Sequence, residues 1–322
     1  MAVALLTPLG VALAQPVITS TAPVANTRSA VRTSPVVVTF SQTLTAGSEG
    51  ALKVYSAQRG GLRSVTTPVV RSGSTLTFTP PAARPFMPGE TVFSTVTRAA
   101  AGSGGNLATA KVYQFTTAVA DAGSGIFGGG SDLAVGASPS SVAIGDVNGD
   151  GYLDMLAANQ GGTVSVRLNN GSGGFSGSSD VAVGATPASV AVGDVDGDGD
   201  LDLLTANYYL GTVSVRLNNG SGAFSGTTDV AVGANPHSVA VGDVDGDGDL
   251  DVLTANYGAN TVSVRLNNGS GTFNGGSDPA VGANPRSVAV GDVDGDGDLD
   301  GLLIAARGQN YCKLFRGRVR KS

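Results

Sequence analysis

Asp146, Asn148, Asp150 and Asp154 occupy positions 1, 3, 5 and 9 of the string DVNGDGYLD, and DVDGDGDLD repeats that spacing from Asp194, Asp243 and Asp292. The starts lie 48, 49 and 49 residues apart. Three or four carboxylates crowded into one turn repel one another strongly. A hard divalent ion that accepts six to eight oxygens at roughly 2.3 to 2.6 Å removes that repulsion, so the chemistry of the string is calcium coordination, about one ion per repeat and four sites in all.

In the second loop Asp194, Asp196, Asp198 and Asp202 are expected to supply side-chain oxygens and Asp200, at position 7, its backbone carbonyl, while Gly197 and Gly199 let the chain curl. The same roles fall to Asp243, Asp245, Asp247, Asp249 and Asp251, and to Asp292, Asp294, Asp296, Asp298 and Asp300. In the first loop Asn148 replaces an acid and Tyr152 takes the carbonyl position, so only Asp146, Asp150 and Asp154 carry charge. That site is expected to be the weakest, because fewer ligand charges lower affinity. An EF-hand would need Glu at position 12. Ala157, Thr205, Thr254 and Leu303 stand there instead, followed by strand-like runs. Magnesium, with its stricter octahedral demand, and a solvated Asp-Gly turn without metal remain the alternatives. Every repeat carries the loop and none adds a positioned histidine, so a structural role for the ions is preferred over a catalytic one.

The elements that must hold these loops can be read from the spacing. In the second unit Ser189 to Val195, Leu201 to Asn207, Thr212 to Asn218 and Phe224 to Gly233 form four short strands, with the acidic loop joining the first two. Four strands per repeat is the pattern of a propeller blade. Phe127, Phe175, Phe224 and Phe273 each precede a VGAxP string, ending at Pro139, Pro187, Pro236 and Pro285. This arrangement resembles the FG-GAP repeat, also met as the VCBS-type repeat, of bacterial surface proteins and the integrin alpha-chain propeller. The resemblance spans Ile126 to about Asp300, and it implies a β-propeller over residues 122–316 with calcium between the first and second strands of each blade. A lone fourth-strand segment, Phe127 to Gly136, comes first and the last unit stops after its third strand. One end can therefore complete the blade of the other. A small closed ring, an open arc and a fragment of a larger ring all satisfy that order.

Ahead of the repeats, Val36-Val38-Phe40, Leu52-Val54, Leu76-Phe78 and Tyr113-Phe115 alternate between glycine, proline and serine clusters. Period-two patterning of this kind buries one face per strand and closes a sandwich of about seven strands. The segments PVVVTFSQTL (35–44), STLTFTPP (74–81) and VYQFTT (112–117) make residues 16–119 similar to a bacterial Ig-like domain, which implies a spacer or stalk. The expected fold class is therefore all-β: an Ig-like sandwich followed by propeller repeats.

Composition sharpens the division. Through Asp121 there are nine Lys/Arg against three Asp/Glu, and beyond it ten against 22. A repeat region this acidic argues against a nucleic-acid partner. Residues 1–14, an apolar stretch ending in Ala12-Leu13-Ala14, read as a signal peptide or as a disordered apolar terminus. No stretch reaches the roughly 20 apolar residues of a membrane span. Residues 317–322 form a basic tail, and Cys312 is the only cysteine, so no internal disulfide is available. Arg167, Arg216 and Arg265 recur in VSVRLNN as a solvated edge or an ion pair. Tyr208, Tyr209 and Tyr257 sit in second-to-third-strand connections, where they pack turns or stack on sugar rings; His237, the only histidine, reads as a turn residue. The expected function is an exported, noncatalytic, calcium-binding scaffold, secreted or on a bacterial cell surface, that presents its propeller to an extracellular protein or glycan. The runner-up is a carbohydrate-active or other hydrolytic module, and a purely structural surface protein is a third reading.

Overall fold

A computed structural model of the chain describes residues 13–58, 61–119, 132–291, 299, 304–306 and 312–313. The fourth acidic loop, residues 292–298 and Asp300, lies outside the described residues, as do residues 1–12 of the expected leader and the basic tail.

The first domain is a two-layer β-sandwich. One sheet orders β1 (Ile18–Ala22), β2 (Val36–Phe40), β5 (Thr75–Phe78) and β4 (Val70–Ser72) as β1-β2-β5-β4. The other joins β3 (Leu52–Ser56), β6 (Thr91–Val96) and β9 (Lys111–Thr116) as β3-β6-β9. A minor hairpin pairs β7 (Ala101–Gly102) with β8 (Gly105–Asn106), so the two main sheets carry the seven strands the alternation predicts. Val36, Val38, Leu76 and Phe78 from one sheet meet Leu52, Val54, Val92, Tyr113 and Phe115 from the other in a single core. Each strand contributes alternate residues, because successive side chains point to opposite faces.

The repeat region builds one sheet per unit. The first orders β10 (Pro139–Gly145), β11 (Asp154–Asn159), β12 (Thr163–Asn169) and β13 (Phe175–Ala182). The second orders β14 (Pro187–Gly193), β15 (Asp202–Asn207), β16 (Thr212–Asn218) and β17 (Phe224–Ala231). Next come β18 (Pro236–Gly242), β19 (Asp251–Asn256) and β20 (Thr261–Arg265), with residues 273–280 bridged to β20 in the place of a fourth strand. The last sheet has β21 (Pro285–Ser287), β22 (Ile304–Ala306) and β23 (Cys312–Lys313). All neighbours are antiparallel.

First strands stack on first strands, β10 beside β14, β14 beside β18 and β18 beside β21, which is how propeller blades meet around an axis. Glycine at the end of the first strands β10, β14 and β18 permits the approach: Gly145 faces Val192 and Leu201, and Gly193 faces Val241 and Leu250. In the second unit the first strand begins two residues earlier than the pattern indicates, the second one residue later, and the third and fourth where expected. Ser138, Thr186, Asn235 and Asn284, the x of each VGAxP string, take left-handed backbone with φ of 52 to 54°, and the following proline starts the strand.

The recurrent arginines bind blade to blade. Arg216 pairs with Asp229 at 3.4 Å and donates from Nε to the Ala182 carbonyl of the preceding blade at 2.9 Å; Arg265 repeats this with Asp278 and Ala231. Their guanidinium groups are mostly buried, so of the two readings of this side chain the ion pair describes it. A polar ladder runs beside them, in which Asn207 donates to Ser214 and Ser214 donates to Asp229, repeated as Asn256, Ser263 and Asp278.

Candidate metal-binding loops

Each of the first three acidic loops leaves the first strand of its blade at position 1 and enters the second strand at position 9. Glycines at positions 4 and 6 hold φ values of +77° and +101° at Gly197 and Gly199, and +76° and +95° at Gly246 and Gly248. A side chain would strain that backbone. The curl aims amide N–H groups inward: Asp194 accepts from Gly197 at 2.7 Å and from Gly199 at 3.0 Å, and Asp243 accepts from Gly246 and Gly248 at the same two distances. Position 9 is braced from both sides. Asp202 takes the amides of Val195 and Asn218, each at 2.8 Å, and Asp251 those of Val244 and Asn267, each at 2.9 Å.

Carboxylate oxygens of Asp194, Asp196 and Asp202 lie within 4.8 Å of one another, as do those of Asp243, Asp245 and Asp247. Asp198 and Asp251 are not in these trios, although both belong to the same loops. Asp198 instead accepts from the amide of Asp200 at 2.9 Å. In the first loop Asp146, Asp150 and Asp154 do not converge in this way, and Asn148 donates from its amide to Asp150 at 2.9 Å, which offsets one of the few charges present. The Tyr152 side chain is exposed.

Burial without a counter-charge makes ionisation expensive here. Asp202 and Asp251 are each pushed up to about 8, chiefly by burial, against the pull of their two backbone amides and with help from neighbouring carboxylates. Burial likewise raises Asp243 to about 7 and Asp194 to about 6. Asp154 is also raised by burial. Packed oxygens that resist ionising alone are the donor set that a hard cation stabilises, so the residues present fit a calcium ion in the second and third loops.

The sandwich domain sits on this loop face. Thr95 donates to Asp243 at 2.7 Å, the Leu62 amide donates to Asp194 at 2.7 Å, and Lys53 pairs with Asp249 at 2.7 Å. The Tyr55 hydroxyl donates to the Gly248 carbonyl, and the Asp146 amide donates to the Gln58 carbonyl at 2.8 Å. Beside the first two loops, Arg63 and Arg84 line a cleft with Asp146, Asn148 and Asp200. The basic half of the chain thus faces the acidic half. No signal in the sequence points to Lys53, Tyr55, Leu62 or Thr95, because each meets a loop more than a hundred residues away and lies in a strand or turn of ordinary composition.

The opposite ends of the blades carry a different cluster. Tyr208 lies 5.1 Å from Tyr209, 6.2 Å from His237 and 6.4 Å from Tyr257, ring centre to ring centre, and the Arg286 guanidinium sits 5.3 Å over the Tyr257 ring. Tyr209 is 72 % exposed. His237 and Arg286 fill the position that is Ser140 in the first blade and Ala188 in the second, so the cluster departs from an otherwise repeated surface.

Family models match the chain twice: an FG-GAP-like repeat at residues 146–205, 194–254 and 243–303, and a bacterial Ig-like domain at 13–117. No curated protein matches it. Among solved structures, a candidate 6-phosphogluconolactonase of Bacteroides uniformis is similar at 15 % identity and TM-score 0.45, over 85 % of this chain and 80 % of that one. The BP39L lectin of Burkholderia pseudomallei is similar at 13 % identity and TM-score 0.41, over 92 % and 97 %. An Agrocybe aegerita lectin that recognises non-reducing terminal N-acetylglucosamine is similar at 16 % identity and TM-score 0.37, over 94 % and 80 %. No helix among the described residues is long and apolar enough to cross a membrane.

Proposed function

For a chain that belongs to the FG-GAP-like repeat proteins and carries a bacterial Ig-like domain ahead of its repeats, we propose the role of an exported, noncatalytic scaffold whose blades are braced by calcium and whose free face binds an extracellular glycan or protein. One observation carries this reading: the Ig-like domain covers the acidic-loop face through Lys53, Leu62 and Thr95, and the aromatic cluster of Tyr208, Tyr209, His237, Tyr257 and Arg286 lies at the other end of the blades. Loops engaged with a second domain are suited to bracing. An open patch of aromatic rings edged by hydroxyls and a guanidinium is suited to recognition, since such rings stack on apolar sugar faces while the polar groups meet hydroxyls.

Calcium, when bound, supplies the positive charge that lets buried aspartates ionise and fixes each turn between first and second strands. Asp194, Asp196 and Asp202 would hold it in the second loop, and Asp243, Asp245 and Asp247 in the third, with Asp198 and Asp251 completing the shells. The deciding experiment is a glycan array probed with the full chain in millimolar calcium and again in chelator. Binding that is retained in calcium, weakened by Tyr257→Ala and unaccompanied by turnover supports the reading. Hydrolysis of an arrayed glycan, abolished by replacing a single acid, overturns it.

A further inference from the structure

The two ends of the blades differ in charge as well as in shape. Residues 122–306 hold 22 aspartates against four basic side chains, Arg167, Arg216, Arg265 and Arg286. The first three are paired within the blades, with Asp180, Asp229 and Asp278. Arg286 is the exception: it is exposed, and among the described residues no carboxylate pairs with it and no acceptor takes its N–H groups. The turns around it are free of acids. At this end of the sheets the chain reads SPS (138–140), TPA (186–188), NPH (235–237) and NPR (284–286) into the first strands, and QGG (160–162), YYLG (208–211) and YGAN (257–260) between second and third strands. A cation is thus presented on the one end of an acidic region that has no acid of its own.

Arg286 is also held in place. Its guanidinium lies 5.3 Å over the Tyr257 ring, which fixes the cation through a ring face and leaves the N–H edge open. That edge is the fork that binds a carboxylate by two parallel hydrogen bonds. The rings beside it are anchored by their backbone. Tyr208 donates its amide to the Thr186 carbonyl at 3.0 Å and its carbonyl accepts from the Asn235 side chain at 3.1 Å; Tyr257 repeats this with the Asn235 carbonyl at 2.9 Å and the Asn284 side chain at 3.1 Å. His237 lies 6.2 Å from both rings. The first blade has Gln160 in the place of Tyr208 and Tyr257, and Ser140 in the place of His237 and Arg286, so the shelf begins at the second blade.

Those backbone bonds favour a sugar chain over a peptide. A peptide that docks by its backbone needs free main-chain donors and acceptors, and those of Tyr208 and Tyr257 are already paired. A sugar needs ring faces for its apolar side and polar groups for its hydroxyls. Resting on the reading of this patch as a recognition surface, we propose that its ligand is a uronate-bearing glycan. One acidic sugar places its carboxylate on the N–H fork of Arg286, and a neighbouring sugar packs on Tyr208 and the exposed Tyr209. The gaps of 5.1, 6.4 and 5.3 Å along Tyr209, Tyr208, Tyr257 and Arg286, from blade two to blade four, make the row longer than one sugar ring, so the ligand that fits is a chain and not a monosaccharide.

The test is calorimetric titration of the full chain in calcium with trisaccharides of glucuronate, galacturonate and mannuronate, each beside its carboxyl-reduced neutral counterpart. At least one uronate should bind about tenfold or more tighter than its counterpart, because hydrogen bonds to an ionised partner are among the stronger ones. Arg286→Gln should abolish that preference and leave the neutral sugar unchanged. Arg286→Lys should restore part of it, since the charge returns without the fork, and Tyr209→Ala should weaken acidic and neutral sugars alike. Both side chains are exposed, so far-UV circular dichroism should be the same in every variant. Equal binding of acidic and neutral sugars, or binding of oligoglutamate in their place, would overturn the uronate and leave the recognition surface standing. A preference for uronate that survives Arg286→Gln would place the carboxylate elsewhere and overturn the proposal too. Binding by none of the six would also overturn it, while the glycan array decides the broader reading.

Discussion

Removal of divalent ions should destabilise the repeat region, and the loss should grow with pH. Asp243 rises from 3.8 to about 7 and Asp194 from 3.8 to about 6 on burial in the loops. Ionising these two carboxyls in the folded chain therefore costs about 4 and about 3 kcal/mol, before any contribution from the position-9 acids. Since these folded values lie above the unfolded one, the native state binds the extra protons, and stability of the ion-free protein falls as pH rises from about 4 to about 8. Calcium reverses this by supplying the charge that the aspartates lack. At pH 7.5 the two loops together represent about 7 kcal/mol, which for a repeat region of this size corresponds to at least about 14 °C in melting temperature. The assay is thermal unfolding by circular dichroism at pH 5 and pH 7.5, in calcium and in chelator. A small effect of chelator at pH 5 and a large one at pH 7.5 is the expected result. If chelation shifts the melting temperature equally at both pH values, or at neither, the electrostatic reasoning is wrong.

Three other outcomes follow from the same geometry. Calorimetric titration of single-loop variants should show that Asp194→Ala and Asp243→Ala remove tighter sites than Asp146→Ala, because the first loop has Asn148 in place of an acid and its carboxylates do not converge. Lys53→Met with Thr95→Val removes an ion pair and a hydrogen bond between the domains, and should lower the melting temperature of the full chain in calorimetry while each domain keeps its spectrum. Arg216→Met leaves Asp229 half exposed but removes the tie to Ala182 of the preceding blade; urea unfolding should register a loss of about 2 kcal/mol, below the roughly 3 to 5 kcal/mol of a disrupted fully buried pair because the acid stays partly hydrated.

Much of this architecture is legible in the chain because it repeats. The period of the acidic string sets the blade length, the alternation of Val, Ser and Leu sets the strands, and Gly197 and Gly199 mark the curl that their positive φ values require. In the second unit the third and fourth strands start where the pattern puts them, and the first starts two residues early, at Pro187, directly after the left-handed turn at Thr186. The recurrent arginine was visible as a polar residue in an apolar strand, but whether it faced water or an acid depended on a partner in the preceding blade.

By itself, then, the sequence determined what is local: the four carboxylate clusters, the strand count per unit, the two domains and their opposite charge. Only the tertiary structure decided what is relational. It put the Ig-like domain on the acidic loops, gathered Tyr208, His237, Tyr257 and Arg286 from three blades into one patch, and left Val142 open where its counterparts Val190 and Val239 are covered. The physical reason is range. Turn geometry and charge crowding act over a few residues, whereas which surfaces meet is set by hydrogen bonds and apolar contacts between residues that the chain itself holds fifty to two hundred positions apart.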